Sequence, residues 1–114
     1  MRHINEYLLS KNKSYIKCPT EGCSLEDICK WFDYLGVPDT YNDRLYYVKR
    51  PTYVCLFAKN SKHNTREIDI NIDNTCEVIA DNHCQYDCDF NKCIEIIKLL
   101  IDNPDSEISV KMLI

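Results

Sequence analysis

In Arg66-Glu67-Ile68-Asp69-Ile70-Asn71-Ile72, isoleucine alternates with acidic or amide side chains from Glu67 onward. Successive side chains of an extended chain point to opposite sides, so the isoleucines share one face while Glu67, Asp69 and Asn71 share the other. A strand with one apolar and one polar face belongs to an antiparallel sheet covered on one side only. Outward from it, runs at 44–49, 52–58 and 75–80 read as further strands, joined by Arg50-Pro51, by a polar loop from Asn60 to Thr65 and by a tight Asp73-Asn74 turn.

The covering layer is legible as two helices. From Phe90 to Asp102, the residues Phe90, Cys93, Ile94, Ile97, Leu100 and Ile101 recur at helical spacing; Asp87 or Asp89 caps the start and Asn103-Pro104 stops the run. From Leu25 to Leu35 a second helix is predicted, with Ser24 as N-cap, Asp27 closing an acidic capping box and Gly36 ending it. Its apolar face is Leu25, Ile28, Cys29, Phe32 and Leu35. Ile4 to Ser10 reads as a further short helix, and residues 108–114 as a packed tail or an added strand. The expected fold is α+β, one domain over 1–114, in the order α-α-β-β-β-β-α(-β). Its sheet is a four-stranded antiparallel meander, five-stranded if the tail joins it, with helices packed on one face.

Composition bounds what such a domain can do. At 114 residues, 45% apolar and 28% charged, the chain is of a size and character to bury a core of its own. The longest apolar stretch, Ile94 to Ile101, is broken by Glu95 and Lys98, too short for a bilayer span, and the opening residues lack a signal-peptide core, so a cytoplasmic protein without membrane contact is expected. Gly22 and Gly36 are the two glycines, which excludes Gly-rich phosphate loops and the common nucleotide-dependent enzymes. Abundant Asn, Ile and Lys beside two alanines reflect an AT-rich gene.

Charge is divided along the chain: residues 1–66 carry 11 Lys/Arg against 7 Asp/Glu, residues 67–114 carry 3 against 11. Between Arg44 and Arg66 six basic residues and no acid are interleaved with aromatics. Arg44, Tyr46, Tyr47, Lys49, Arg50, Tyr53, Lys59, Lys62 and Arg66 therefore form a candidate contact for a partner or for nucleic acid, able to neutralise phosphates and stack on bases. The plainer reading is a strand pair with aromatics in the core and lysines in water. Glu67, Asp69 and Asp73 form a second, acidic candidate face, which would imitate a phosphate strand in a partner's basic groove; such rows are more often the wet side of a strand.

The eight cysteines show no pair at zinc-knuckle spacing. The best metal set is Cys18, Cys23, Cys84 and Cys88, with His83 nearby, which would make the protein a zinc-stabilised nucleic-acid-binding module. Disulfides are the other use of an even cysteine number, and small apolar packing residues the ordinary one, as at Cys29, Cys55 and Cys93. A thiol enzyme built on Cys84 and His83 is the least favoured alternative, because neighbours on a strand face opposite ways. His3 and His63 read as exposed and idle, and Asp87 and Asp89 as helix-start charges.

The opening Ile4-Asn5-Glu6-Tyr7-Leu8-Leu9-Ser10-Lys11 resembles the starts of short orphan proteins of bacteriophages and mobile elements from AT-rich hosts. The resemblance implies a class of small inhibitors of host or defence components, anti-CRISPR proteins among them, and transfers no residue role. With no reaction centre or cofactor site evident, the leading expectation is a non-enzymatic inhibitor that binds another protein or a ribonucleoprotein, such as a CRISPR effector or its guide RNA, through charged surfaces. An open sheet edge or the apolar tail also offers a route to a homodimer.

Overall fold

The computed structural model describes residues 18–59, 65–79, 85–106 and 108. The helix expected at Ile4–Ser10, Lys62, His3, His63, His83, Cys84 and the tail beyond Ile108 lie outside the described residues. Helix α1 (Leu25–Tyr34) leads into strands β1 (Leu45–Lys49), β2 (Tyr53–Lys59), β3 (Thr65–Asn71), β4 (Cys76–Ile79) and β5 (Gln85–Cys88), and helix α2 (Phe90–Asp102) follows. All neighbouring strands pair antiparallel in the order β1-β2-β3-β4-β5, which makes the fold an α+β meander.

Local chemistry sets the ends of these elements. Ser24 and Asp27 close the capping box of α1, Gly36 leaves it at φ +81°, and Asp89 caps α2 by accepting from the Lys92 amide at 2.8 Å. The turn between β3 and β4 needs a left-handed residue, supplied by Asn74 at φ 68°. Its carboxamide is buried and ties two distant segments together: Oδ1 accepts from the Gly22 amide at 2.5 Å, and Nδ2 donates to the Cys23 carbonyl at 3.2 Å.

Both helices cover one face of the sheet, α1 over β1 and β2, α2 over β3 and β4. Between them and the sheet lie Ile28, Trp31 and Phe32 from α1, Val54, Leu56, Ile68, Ile70 and Val78 from the strands, and Cys93, Ile97 and Leu100 from α2, all at most 1% exposed. Each large apolar side chain removed from water contributes roughly 1.5–3 kcal/mol before chain entropy is set against it.

Three features depart from the expected pattern. The fifth strand precedes α2: Gln85-Tyr86-Asp87-Cys88 is a four-residue edge strand, half-buried at Tyr86 and Cys88, too short and too polar to show periodicity. Ile72 is 64% exposed because β3 ends at Asn71; its amide instead donates to the Thr52 carbonyl at 2.8 Å. Arg66, first in the apolar row of β3, is 0% exposed, with Nε donating to Ala58 O at 3.4 Å, Nη1 to Ser106 O at 2.5 Å and Nη2 to Pro104 O. The guanidinium thereby fastens the segment after α2 to the sheet, at a helix end where a cation is favoured.

Candidate functional site on the open sheet face

Residues paired across an antiparallel ladder share a face, so the registers define the side of the sheet opposite the helices. That face, left open by both described helices, divides into an aromatic and an acidic half. On β1 and β2, Tyr46 stacks on Phe57 at 5.0 Å and 15°, Tyr41 meets Tyr46 edge-on at 5.3 Å, and Lys59 Nζ lies 5.0 Å from the Tyr41 ring centroid and donates to its hydroxyl at 3.1 Å.

On β3, β4 and β5 the face is acidic. Asp69 stands directly opposite Glu77, and Glu77 directly opposite Asp87, so three carboxylates cross adjacent strands spaced about 4.8 Å apart. Glu67 sits two residues from Asp69 on the same face. Like charges directly opposed across a ladder destabilise it, and one hydrogen bond, from Gln85 Nε2 to Glu77 Oε2 at 2.8 Å, offsets part of that repulsion. At the centre, Cys55 is the ladder partner of Asp69, and its Sγ and the carboxylate oxygens of Glu67 and Asp69 lie within 4.8 Å of one another. Asp69 Oδ1 is buried without a hydrogen-bond partner. Burial, followed by the adjacent Asp69, pushes the Glu67 carboxyl up to about 7, with Glu77 adding to the effect. Burial and then the neighbouring carboxylates, Asp69 foremost, also push the Cys55 thiol up.

Among the described residues the basic run does not form one surface. Strand alternation turns Tyr47 and Arg66 inward: Tyr47 is 5% exposed and donates its hydroxyl to Asp33 Oδ1 at 2.5 Å, and Arg66 is the anchor already described. Both side chains are thus buried and not on the exposed surface expected for them. Lys49 is exposed but points toward the helix side, 3.6 Å from Glu26, and Arg44 lies 3.9 Å from Asp105. Arg50 is exposed at the hairpin, while Tyr46, Tyr53 and Lys59 are half-buried on the open face. Of the acidic candidates, Glu67 and Asp69 belong to the face. Asp73 is a turn residue instead: its carboxylate accepts from the Thr75 hydroxyl at 2.6 Å and amide at 3.0 Å, and those bonds hold it below the usual carboxylate range.

Glu77 and Asp87 join the acidic face, and Cys55 meets Asp69, through ladder register alone. The alternation around Glu77 was a usable signal for its side of the strand; nothing local announces its neighbours. Of the expected zinc ligands, Cys18 and Cys23 flank one turn, closed by the Cys23 amide donating to Thr20 O at 3.0 Å, and their ligand atoms do not converge with that of Cys88 among the described residues. Cys88 instead faces Cys76 across the β4–β5 ladder, and the Cys93 thiol on α2 interacts with both. The seven described cysteines are free thiols.

The fold and face together define a class: a small α+β meander, helices on one side, with a charge-divided sheet surface left uncovered by them on the other. No protein-family model, curated protein or solved structure matches the chain. No helix among the described residues is long and apolar enough to cross a membrane.

Proposed function

We propose that this protein is a non-enzymatic binding module that docks the open face of its sheet on a basic, nucleic-acid-handling surface of another protein or ribonucleoprotein and so inhibits it in the cytoplasm of the host cell. The observation that carries this reading is the row Asp69, Glu77 and Asp87, three carboxylates directly opposed across three strands. A fold gains nothing in stability from that arrangement, whereas a partner's lysines and arginines would neutralise it, and a field of one sign steers and selects such a partner. The neighbouring Tyr46 and Phe57 supply rigid apolar area of the kind that anchors interfaces. The dispersal of Arg44, Lys49 and Arg50, and the burial of Arg66, move the weight from the basic run to the acidic face. The resemblance of residues 4–11 to small anti-defence proteins points to the same class of role.

The test is capture of the partner from host lysate with the tagged protein, with and without nuclease, followed by charge reversal. Glu77→Lys with Asp87→Lys is expected to abolish capture without loss of fold, and Lys49→Glu with Arg50→Glu to leave it intact. The opposite result would return the contact to the basic segment.

A further inference from the structure

We infer that Cys55 Sγ and the carboxylates of Glu67 and Asp69 form a mixed sulfur and oxygen site for a borderline divalent cation, Zn²⁺ being the type. The inference does not depend on the docking reading. Among the described residues these side chains are the group of three potential ligands whose donor atoms converge, all within 4.8 Å of one another. Ligand atoms about a tetrahedral zinc with one sulfur are roughly 3.4–3.6 Å apart, given bond lengths near 2.3 Å to sulfur and 2.1 Å to oxygen. The three heads thus need to close by about an ångström, which rotation of the Glu67 side chain and small adjustments at Cys55 and Asp69 supply.

Three independent features mark the cluster as a ligand set and not an acidic patch. The first is the thiol, 5% exposed and on the face opposite the apolar core, which neither described helix covers. The second is Asp69 Oδ1, buried and without a hydrogen-bond partner, a cost that a cation bound to this oxygen would remove. The third is placement: Cys55 and Asp69 are ladder partners on central strands, and Val48 opposite Cys55 and Phe57 opposite Glu67 give the site apolar walls. One thiolate and two carboxylates select zinc-like ions over Mg²⁺ or Ca²⁺, which take oxygen alone. A water, or Glu77 opposite Asp69, would complete four-coordination. On binding, the Cys55 thiol proton passes to solvent and its sulfur lone pair forms the metal bond.

The experiment is titration of the reduced, chelator-treated protein with Zn²⁺ by calorimetry and with Co²⁺ by absorbance, reading the sulfur-to-cobalt charge-transfer band. One equivalent is expected to bind with a band of single-thiolate intensity. Loss of an indirect, supporting partner already costs about 10–100-fold in metal affinity; Cys55→Ala should abolish the band, Asp69→Asn should weaken binding by at least about 100-fold, and Cys23→Ala should change neither. If a variant does not fold, backbone amide shifts in the unsubstituted protein decide the matter: zinc should move Cys55, Glu67 and Asp69 and leave Cys88 and Cys93 in place. No band, a band that survives Cys55→Ala, or shifts confined to Cys76, Cys88 and Cys93 would each overturn the assignment, the last in favour of the thiols beneath α2.

Discussion

Replacing Arg66 separates two opposed views of the basic segment. As a surface contact, Arg66 would be expendable for folding; as the buried anchor described above, it holds three carbonyls, Ala58 O, Pro104 O and Ser106 O. Hydrogen bonds from a charged donor contribute about 1.5–3 kcal/mol each. The bond to Ala58 O is long at 3.4 Å and counts for little, and Ser106 is partly buried, so water regains some of its loss. Arg66→Met keeps the length of the stem, removes the desolvation cost of the guanidinium and leaves the Pro104 carbonyl buried without this donor. The net loss is about 3 kcal/mol, near two orders of magnitude in the folding equilibrium and roughly 10–20 °C in Tm for a domain of this size. Arg66→Lys retains the charge but loses the planar fork and falls between. Urea unfolding followed by circular dichroism measures both. A change below about 0.5 kcal/mol in Arg66→Met, accompanied by loss of partner capture, would refute the anchor and restore Arg66 to the surface.

Three further outcomes are expected. Asn74→Gly keeps the left-handed turn but cuts the ties to Gly22 and Cys23, and should cost about 1–2 kcal/mol; in hydrogen exchange the 18–23 turn should then lose protection before the sheet does. Ser24→Ala removes the acceptor of the Asp27 amide and should cost about 1 kcal/mol in thermal melts, with the α1 amides exchanging faster. In metal-free buffer the Glu67 carboxyl, raised from 4.5 to about 7, penalises the folded state once ionised. Stability should therefore be highest below about pH 4.5 as far as this group is concerned and fall as pH rises toward 7 and beyond. After allowance for solvent screening at a partly exposed site, the effect is about 1 kcal/mol. Glu67→Gln should abolish that slope, and an unchanged pH profile in the variant would show that Glu67 ionises normally.

Much of the fold was readable because the responsible interactions are local. Alternation in residues 66–72 specifies a strand and its two faces, the Ser24–Asp27 box and Asp89 start helices by satisfying amides within one turn, and Phe90 to Asp102 shows its apolar stripe at helical spacing. Gln85–Cys88 was not readable, because an edge strand of four residues takes its hydrogen bonds from β4 and has no pattern of its own. Arg66 misled for a related reason: charge marks a residue for water unless three carbonyls from distant parts of the chain converge on it, and two of those lie 38 and 40 residues away.

Sequence alone determined the α+β class, the coarse order of helix, strands and helix, and the side of each clear strand that meets the core, since these follow from propensities, caps and periodicity within a few residues. Tertiary structure decided which side chains are neighbours. Ladder register set Cys55 beside Asp69 and aligned Asp69, Glu77 and Asp87 into one row, while strand alternation divided the basic run between core, edge and open face. The physical reason is that a charge's worth depends on what lies within a few ångströms of it, and here those distances are bridged by strands joined only through the folded sheet.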